Sequence, residues 1–550
     1  MAADTLDLSA VCPEGQIAVV ISEQSNMIKA IVKNLFFFSL LASCATVLPV
    51  LAQQQLDLST ATVRDINRAL ESGTLTSEEL VRRYLARIEA YNQNGPALKA
   101  IIVVAENALD RARELDRERA LSGPRSPLHG IPIVVKDTID TIDAPTSGGA
   151  IAFAGTYPLR DATIIRKVKE AGAIILAKGN LDEFNLGAMG LSSLGGQGLN
   201  PYDLTRNPGG SSSGPAVAVT TGMAALGIGT ETGASIRSPS SNASLVGLAP
   251  TQGLISRTGL LPISYSHDRA GPIARSVWDA ALLASYMRGL DAADLFTHRS
   301  LGKIPQQPYT DFLHEDGLRG ARVGVLRDLF REGEQFQEIN GLIELEIDVL
   351  REQGALVIDG LTTGMDLVSF FPMMRHSTEE FVETYRVYVQ GREGTLPFET
   401  LEELVASGQM LDRLMESYMR YVEAGSTEFD AAYLARLKNR ENLTRILVDL
   451  MDKHELDALV HPFKSLPAPP LGTGDRGVRD NPVSASTGLP ALVIPAGVNS
   501  EGLPISIEFL GRPFSEPVLF RLGYAYEQAT HHRIVPTLTP PLTGENILIP

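Results

Sequence analysis

Residues 207–250 constrain the fold more than any other part of the chain. They contain eight serines and eight glycines, more than a regular helix or strand tolerates. Two clusters stand out, GGSSSG at 209–214 and TETGASIR at 230–237. Between them, residues 215–228 are apolar and rich in alanine, and Pro215 is placed to open a helix. The pattern predicts a loop, a buried helix and a second loop, so that two loops rich in hydroxyl and backbone N–H groups lie close together.

Two other interpretations of this stretch fit less well. A flexible Gly/Ser linker would not enclose a continuous apolar segment, nor would it be followed by the apolar residues 245–248. The run GSSSG at 210–214 also fits G-x-S-x-G, the nucleophile elbow of α/β-hydrolases, with Ser212 as the nucleophile. That elbow requires a strand directly before it, whereas LTRNPG at 204–209 has the composition of a loop.

The two clusters resemble the motifs of the amidase signature family. In that family G-G-S-S-G is followed by G-T-[DE]-x-G-[GA]-S-I-R and by G-L-x-P-T, here GLAPT at 247–251. The family's other catalytic element is a lysine that ends an apolar strand, and HGIPIVVKD at 129–137, with Lys136, is similar to it. Lys136 precedes Ser211 by 75 residues and Ser211 precedes Ser235 by 24, spacings that lie within the family's pattern.

The resemblance covers nearly the whole chain, from about residue 58 to about residue 542. Within the family the chain looks most like the peptide-amidase branch, which shares the SSSG loop at 211–214 and an aromatic-rich ending in Glu-Gln, here GYAYEQ at 523–528. The resemblance implies hydrolysis of linear carboxamides through an acyl-enzyme intermediate, with release of a carboxylic acid and of ammonia or an amine.

The resemblance also assigns the chemistry residue by residue. Ser235 is the expected nucleophile, and Lys136, kept neutral by burial, is the expected base. Ser211 lies between them, after a cis peptide bond in the family, and would pass the proton in both directions. No metal, cofactor or histidine is required. The expected oxyanion donors are the backbone N–H groups of Thr232, Gly233, Ala234 and Ser235, and Ser212 is expected to hydrogen-bond within its loop.

The chain departs from the family's pattern at two positions. Ala234 stands directly before the nucleophile, where the family usually has glycine, and would cost about 1 kcal/mol of strain if that position needs a positive φ. Ala249 stands where the family commonly has lysine. Two further residues are expected to support the site, Arg237 by bracing the loop after the nucleophile and Lys178 from the end of a neighbouring strand.

Charge and cysteine content exclude several other classes of function. The net charge of −17 argues against a nucleic-acid backbone as partner, because such binding needs a basic surface. Both cysteines, Cys12 and Cys44, precede the expected domain, so a cysteine nucleophile, cysteine metal ligands and structural disulfides are excluded within it. The nine histidines show no metal-ligand spacing.

The N-terminal segment is typical of a secretory signal. Residues 27–34 are basic, and residues 35–52 form an apolar run that ends in Val-Leu-Ala. This pattern predicts cleavage after Ala52 and an exported protein, periplasmic or secreted. Two alternatives stay open: LASC at 41–44 resembles a bacterial lipobox, which would make Cys44 a lipidated N-terminus, and the apolar run is just long enough to remain as a membrane anchor.

The order of the predicted elements favours an α/β fold. Residues 164–171 have a helical pattern and residues 174–177 a strand pattern, and repeated units of this kind indicate a parallel sheet. The expected fold, that of the amidase signature family, is a single large domain with a central mixed, mainly parallel twisted β-sheet covered by helices. The expected divisions are an N-terminal extension at 1–52, signal-like from residue 27, an amidase domain at 53–550, a signature core at about 129–275 and a variable helical region at about 335–456 that shapes the substrate pocket.

Three functions are compatible with these patterns. The first is a serine amidohydrolase acting on peptide, aryl or fatty amides, and the second is a non-catalytic binding member of the same fold. The third is the amidase-like subunit of the tRNA-dependent amidotransferase, which shares the motifs but works in the translation compartment, so the export signal argues against it. The expected partner is a small-molecule amide or peptide-amide substrate, with no nucleic acid, no metal and no cofactor. Monomer and homodimer both stay open.

Overall fold

The computed structural model describes residues 54–374, 377–424, 431–474, 482–545 and 547–549. Residues 55–549 form one compact unit. The predicted export signal and both cysteines lie outside the described residues, so cleavage after Ala52 stays a prediction.

The secondary structure of the described residues alternates strands and helices along much of the chain. The strands are β1 (Gln54–Leu56), β2 (Ile101–Val104), β3 (Pro132–Lys136), β4 (Ile174–Gly179), β5 (Leu191–Ser192), β6 (Gly196–Gln197), β7 (Leu226–Glu231), β8 (Val246–Ala249), β9 (Arg269–Ala274), β10 (Arg322–Leu326), β11 (Leu356–Leu361), β12 (Ala458–Pro462), β13 (Ala491–Val498), β14 (Pro504–Leu510) and β15 (Ile547–Ile549).

The α-helices lie mainly between these strands and after β11. They are α1 (Val63–Glu71), α2 (Ser77–Ile88), α3 (Ala108–Ser122), α4 (Thr163–Glu170), α5 (Ser213–Thr220), α6 (Arg237–Asn242), α7 (Val277–Met287), α8 (Gln337–Glu352), α9 (Leu367–Phe370), α10 (Ser377–Gly391), α11 (Leu401–Ser407), α12 (Asp412–Ala424), α13 (Ala431–Lys453), α14 (Val483–Thr487) and α15 (Glu516–Thr530). In the described part of the chain, none of the helices has the length and apolar character that a membrane span needs.

Eleven strands form one central sheet in the order β11-β10-β12-β14-β13-β8-β9-β7-β3-β4-β2. Two short sheets, β1 with β15 and β5 with β6, complete the strands of the described residues. In the central sheet, four neighbouring pairs are parallel and six are antiparallel. The expected α/β class with a central mixed sheet is confirmed, but the expectation that the sheet is mainly parallel is wrong.

The direction of each pair follows from the connection between its strands. A helix crosses over between β3 and β4 and between β10 and β11, and these pairs are parallel, because a parallel neighbour needs a long crossover. By contrast, β13 and β14 are joined by a tight turn, in which the Asn499 N–H donates to the Leu503 carbonyl at 3.0 Å, and they are antiparallel. An apolar run in the sequence predicts a strand without fixing its direction.

The middle of the sheet is apolar on both faces. Every residue of β3, β4 and β7 is buried, and helix α5, also buried throughout, packs against β3 and β7. Strands covered on both faces carry continuous apolar runs of this kind. Because β3 and β7 are parallel neighbours, Lys136 at the end of β3 and Thr230 near the end of β7 reach the same edge of the sheet.

The apolar segment between the two Gly/Ser-rich loops is not one helix. Helix α5 ends at Thr220 and β7 begins at Leu226, so the helix expected over residues 215–228 is wrong in its second half. Gly222 has φ +68° and turns the chain directly after the helix, a conformation that glycine adopts at little steric cost. The two loops are still brought together, by a helix followed by a strand.

The region at 335–456, expected to be helical, contains α8 to α13 in its described part, with β11 inserted after α8. Its helices place Tyr418 against Phe381 and Phe184, at ring-centroid distances of 5.2 and 5.9 Å. Phe184 directly precedes Asn185, whose side chain accepts a hydrogen bond from the Thr230 hydroxyl at 3.4 Å. This helical layer therefore packs beside the ends of β3 and β7, and its role in shaping the substrate pocket stays a prediction.

Candidate active site

Lys136 is the last residue of β3 and is fully buried. Its Nζ lies 2.6 Å from the Ser211 hydroxyl oxygen, 2.9 Å from the Thr230 hydroxyl oxygen and 3.3 Å from the Thr230 carbonyl oxygen. Burial lowers the pKa of Lys136 to about 7, and three nearby acidic side chains offset this only in part. The amine is therefore uncharged in a large share of molecules at neutral pH.

The loop that carries Ser211 is fixed by Asp182. The peptide bond between Gly210 and Ser211 is cis, as the resemblance implied. The Ser211 carbonyl accepts the Asp182 N–H at 3.2 Å, and the Asp182 carboxylate accepts the N–H groups of Met189 at 3.0 Å and Gly190 at 2.9 Å. A Cβ at Gly210 would overlap Asp182 Oδ2, so this position accommodates only glycine.

Ser212 is held against β7. Its hydroxyl donates to the Thr230 carbonyl at 3.1 Å and accepts the Thr230 N–H at 3.3 Å, so it bonds to the strand rather than within its own loop. Its backbone N–H donates to the Ser235 carbonyl at 3.1 Å, which places the two serine-bearing loops side by side. No strand precedes it at 204–209, and the nucleophile-elbow interpretation therefore lacks its required context.

In the part of the chain that the structure describes, four consecutive backbone N–H groups, those of residues 232–235, donate no hydrogen bond. By contrast, the N–H groups of Ile236 and Arg237 donate to the Glu231 carboxylate at 2.9 and 3.1 Å. The Ser235 side chain is 7% exposed, and its hydroxyl has no partner in the part of the chain that the structure describes. Free N–H donors beside a serine hydroxyl are what an oxyanion hole requires.

The departure at Ala234 carries no backbone strain. Ala234 is not among the residues with positive φ, so the cost expected for that case does not arise. A Cβ built on Gly233 would meet no atom within 4 Å, which indicates open space in front of the loop. Ala249 is fully buried in β8, where a lysine would need a partner for its charge.

Behind the loop, buried charged side chains form an ion-pair network. Glu231 pairs with Arg237 at 2.9 Å and with Arg269 at 3.0 Å, and Arg237 also pairs with Glu508 at 2.7 Å. Arg237 donates to the Gly233 carbonyl at 2.9 Å, so it braces the loop as expected. The sequence analysis assigned no role to Glu231. Its place at the [DE] position of the family motif could have indicated one.

Asp268, directly before β9, is a second residue that sequence reasoning missed. Its carboxylate accepts the Thr232 hydroxyl at 2.5 Å and the N–H groups of Ile263 and Ser264 at 2.7 and 2.8 Å. Burial raises the pKa of Asp268. No local pattern marks it, because β9 meets β7 only in the folded sheet.

Among the described residues, no group of three or more His, Cys, Asp or Glu side chains is arranged to hold a metal ion.

Lys178, at the end of β4, supports the site without touching the serines. Its Nζ donates to the Thr146 hydroxyl at 2.7 Å and to the Ile139 carbonyl at 2.8 Å, and it lies 3.1 Å from the Asp137 carboxylate. Burial lowers its pKa as well. Its contacts hold the segment that follows Lys136, which is the supporting role expected for it.

Known proteins resemble this chain in sequence and in fold. A family model described as Amidase matches residues 79–520. The chain belongs to the amidase family. The crystal structure of the peptide amidase from Stenotrophomonas maltophilia superposes on it with a TM-score of 0.79 and 36% sequence identity, over 87% of this chain and 99% of that one. The amidase signature fold is thereby shown, and family membership supports amide hydrolysis.

Two kinds of relative resemble this amidase-family chain at similar identity. A protein of Arabidopsis thaliana named "Probable amidase" is 34% identical over 529 residues, which cover 90% of this chain and 97% of that protein. The A subunit of the glutamyl-tRNA(Gln) amidotransferase of Chloroflexus aggregans is 34% identical over 490 residues, which cover 86% of this chain and 97% of that protein. Sequence identity over the whole chain therefore does not distinguish the amidase relative from the amidotransferase subunit.

Proposed function

We propose that the protein hydrolyses the C–N bond of linear carboxamides through Ser235, Ser211 and Lys136, with an acyl-enzyme intermediate. The observation that carries the proposal is the 2.6 Å contact between Lys136 Nζ and Ser211 Oγ in a buried site. A lysine whose pKa lies at about 7 can accept a proton near neutral pH. An ordinary lysine, with a pKa of about 10.4, cannot.

The surroundings of Lys136 support its role as a neutral base. A neutral amine has two N–H donors and one lone pair. The carbonyl and hydroxyl oxygens of Thr230 lie 3.3 and 2.9 Å from Nζ and can take the two donors. The lone pair is then left for the hydroxyl proton of Ser211, which is the direction of transfer that amide hydrolysis needs.

Acylation follows from this arrangement. Lys136 accepts the Ser211 proton, Ser211 accepts the Ser235 proton, and Ser235 Oγ attacks the amide carbon. The charge that develops on the carbonyl oxygen is stabilised by the unused N–H groups of residues 232–235. The tetrahedral intermediate collapses when the proton returns through Ser211 to the leaving nitrogen, which breaks the C–N bond. Water then attacks the acyl carbon, and its proton follows the same route through Ser211 to Lys136. The acid is released.

The first test is whether the purified protein is an amidase with Ser235 as its nucleophile. It should release ammonia from 3-phenylpropanamide, and a fluorophosphonate should label Ser235, as located by peptide mass spectrometry. The Ser235→Ala variant should do neither. A protein that releases no ammonia and labels at no serine would instead support the non-catalytic alternative.

The similarity to the amidotransferase protein favours a second candidate, in which the chain acts as one component of an amidotransferase. The predicted export signal argues against it. The two candidates differ in whether the isolated chain is active. Ammonia release from simple amides by the purified chain alone supports the hydrolase, whereas activity that arises only after partner proteins are added supports the amidotransferase.

A further inference from the structure

The segment that follows β4 contacts both neighbours of Lys136. The Asp182 N–H donates to the Ser211 carbonyl at 3.2 Å, and the Asn185 side chain accepts the Thr230 hydroxyl at 3.4 Å. The hydroxyl oxygens of Ser211 and Thr230 lie 2.6 and 2.9 Å from Lys136 Nζ. The segment therefore holds two residues that face the lysine amine, one on each of the elements that meet there.

The carboxylate of Asp182 is enclosed by glycines and by backbone N–H groups. The side chain is fully buried. A Cβ on Gly210 would overlap Oδ2, and a Cβ on Gly187 would overlap Oδ1. Oδ2 also accepts the N–H groups of Met189 and Gly190 at 3.0 and 2.9 Å. A side chain of another size at position 182 would therefore displace Gly210 and with it the serine loop.

The charges that face Lys136 come from three segments of the chain. Burial lowers the pKa of Lys136, and three carboxylates oppose that effect. In decreasing order of influence they belong to Asp182, Asp268 and Glu231. The charge of Asp268 is opposed by Arg257, and that of Glu231 by the two buried arginines of the ion-pair network. Among these carboxylates, Asp182 therefore acts most strongly on the lysine.

Arg413, on α12 in the variable helical region, faces Asp182 from the surface. Its Nη2 lies 3.5 Å from Asp182 Oδ1, and its Nη1 donates to the Leu186 carbonyl at 3.2 Å. The Arg413 side chain is 32% exposed. Burial raises the pKa of Asp182, whereas the N–H groups of Gly190 and Met189 and the charge of Arg413 lower it. These contacts favour the ionised carboxylate.

We propose that Asp182 is a positioning residue that holds the Ser211 loop against Lys136 and acts on the lysine amine through its negative charge. Arg413 partly offsets that charge from the surface. The inference rests on the proposed function, since Asp182 acts through Lys136 and Ser211 and not on the substrate. A residue with a merely structural role would lower the rate equally at every pH, whereas a charge beside Lys136 also sets the pH at which activity rises.

The first test removes the charge of Asp182 and keeps its shape. In Asp182→Asn the amide oxygen can accept the N–H groups of Met189 and Gly190, while the amide nitrogen faces Arg413. The midpoint of the rise in kcat/KM with pH, measured with 3-phenylpropanamide, should move about one unit lower. The reason is that a neutral side chain no longer favours the ammonium form of Lys136. The rate at high pH should stay within about tenfold of wild type, and an unchanged midpoint overturns the proposal.

Asp116 supplies the matched control for Asp182→Asn. Its carboxylate also accepts two consecutive N–H groups, those of Ser77 and Glu78 at 2.8 and 2.9 Å. It lies on α3 and, among the described charges, is not one that acts on Lys136. Asp116→Asn should therefore leave the midpoint unchanged. A shift of equal size in Asp116→Asn would show that net charge alone matters, and would overturn the proposal.

A surface variant tests the same interaction without altering the buried loop. Arg413→Gln removes the cation, while the backbone N–H groups around Asp182 still favour its ionised form. The midpoint should therefore move to higher pH, by less than in Asp182→Asn, because the charge of a partly exposed arginine is screened.

Arg420 on the same helix gives the control for Arg413→Gln. It is 63% exposed and pairs with Glu416 at 3.7 Å. Arg420→Gln should leave the midpoint unchanged. If Asp182→Asn does not fold, the surface variant decides, and a midpoint that Arg413→Gln leaves unchanged or moves to lower pH overturns the proposal.

Failure of this inference differs from failure of the proposed function. If 3-phenylpropanamide is hydrolysed and neither Asp182→Asn nor Arg413→Gln moves the midpoint, Asp182 lacks this role and the proposed function stands. If the amide is not hydrolysed, the proposed function fails, and stability tests the charge interaction alone. The difference in unfolding free energy between proteins with and without Lys136→Met should then begin to rise at lower pH in the Asp182→Asn background. The same onset in both backgrounds overturns the interaction.

Discussion

Lys136 Nζ and Ser211 Oγ lie 2.6 Å apart, and both residues are fully buried. The contact joins the end of β3 to a loop 75 residues later in the chain. Because burial lowers the pKa of Lys136 to about 7, a substantial share of the lysine facing the serine hydroxyl near neutral pH is amine rather than ammonium. The charge state of this lysine therefore links the fold to the rate of the proposed reaction.

Activity should rise with pH through about 7, because only the neutral amine accepts the serine proton. A profile of kcat/KM against pH checks this.

The same lowered pKa of Lys136 also affects the pH dependence of stability. Between about 7 and 10.5 the unfolded chain binds the Lys136 proton and the folded chain does not, so this group's contribution to stability rises with pH in that window and is lowest below it. Lys136→Met should remove that rise in the free energy of unfolding with pH. If Lys136→Met left the pH dependence of the unfolding free energy unchanged, the lowered pKa would not belong to Lys136.

Replacing Lys136 by arginine should be as damaging as replacing it by alanine. Arginine keeps the positive charge but does not release its proton in this range. Both variants should lose amidase activity on the order of 10²–10⁴-fold, the usual effect of removing a general base. Esters, which have better leaving groups, should be less affected and serve as the internal control. Near-full amidase activity in Lys136→Arg would show that only a charge is needed.

Replacing Ser235 and replacing Ser212 by alanine should have different effects on activity. Ser235→Ala should abolish turnover and leave thermal unfolding unchanged, because its hydroxyl makes no hydrogen bond within the described residues. Ser212→Ala removes two hydrogen bonds to Thr230, of 3.1 and 3.3 Å, and should lower activity only in part. Steady-state rates and melting temperatures of both variants provide the measurement. An inactive Ser212→Ala beside an active Ser235→Ala would reverse the assignment.

The local parts of this structure could be predicted from the sequence, and the long-range parts could not. Apolar runs located β3 and β4 to within a few residues, because a buried strand is marked by its own composition. The same composition did not fix strand direction, which depends on the connections, nor did it show that residues 215–228 divide into a helix and a strand. Gly222 was the available signal for that division.

The candidate site, like the fold, could be predicted from the sequence only in part. Spacing and motif indicated Lys136, and the structure places it against Ser211. By contrast, Asp268 carries no motif. It matters because β9 lies beside β7, which brings its carboxylate to the hydroxyl of Thr232. Such residues are defined by contacts between distant segments, and a single sequence does not reveal those contacts.

Export is a prediction that the described residues do not test. The basic segment at 27–34 and the apolar run at 35–52 lead us to propose cleavage after Ala52. Expression with the full N-terminus in a secreting bacterial host, followed by N-terminal sequencing of the exported protein, should give a sequence that starts at Gln53. A lipid-modified start at Cys44 would instead identify the protein as membrane-anchored, and an uncleaved chain in the cytoplasm would contradict export.

The ion-pair network behind the nucleophile loop should be essential to stability. Glu231 is 1% exposed and compensates Arg237 and Arg269. Glu231→Gln keeps the shape but leaves buried positive charge uncompensated, which costs on the order of 3–5 kcal/mol. The midpoint of denaturant unfolding should therefore fall clearly. Activity should fall as well, because the Glu231 carboxylate also holds the N–H groups of the two residues after Ser235.

The matched control for Glu231→Gln is an exposed pair of the same chemistry. Glu170 and Arg166 lie 2.9 Å apart on α4, with side chains 61% and 56% exposed. Glu170→Gln should leave the unfolding midpoint unchanged, because exposed pairs contribute little to stability. The difference between the two glutamine variants measures the effect of burial rather than of the substitution itself. Equal midpoints in the two variants would show that the buried network contributes no more to stability than the exposed pair.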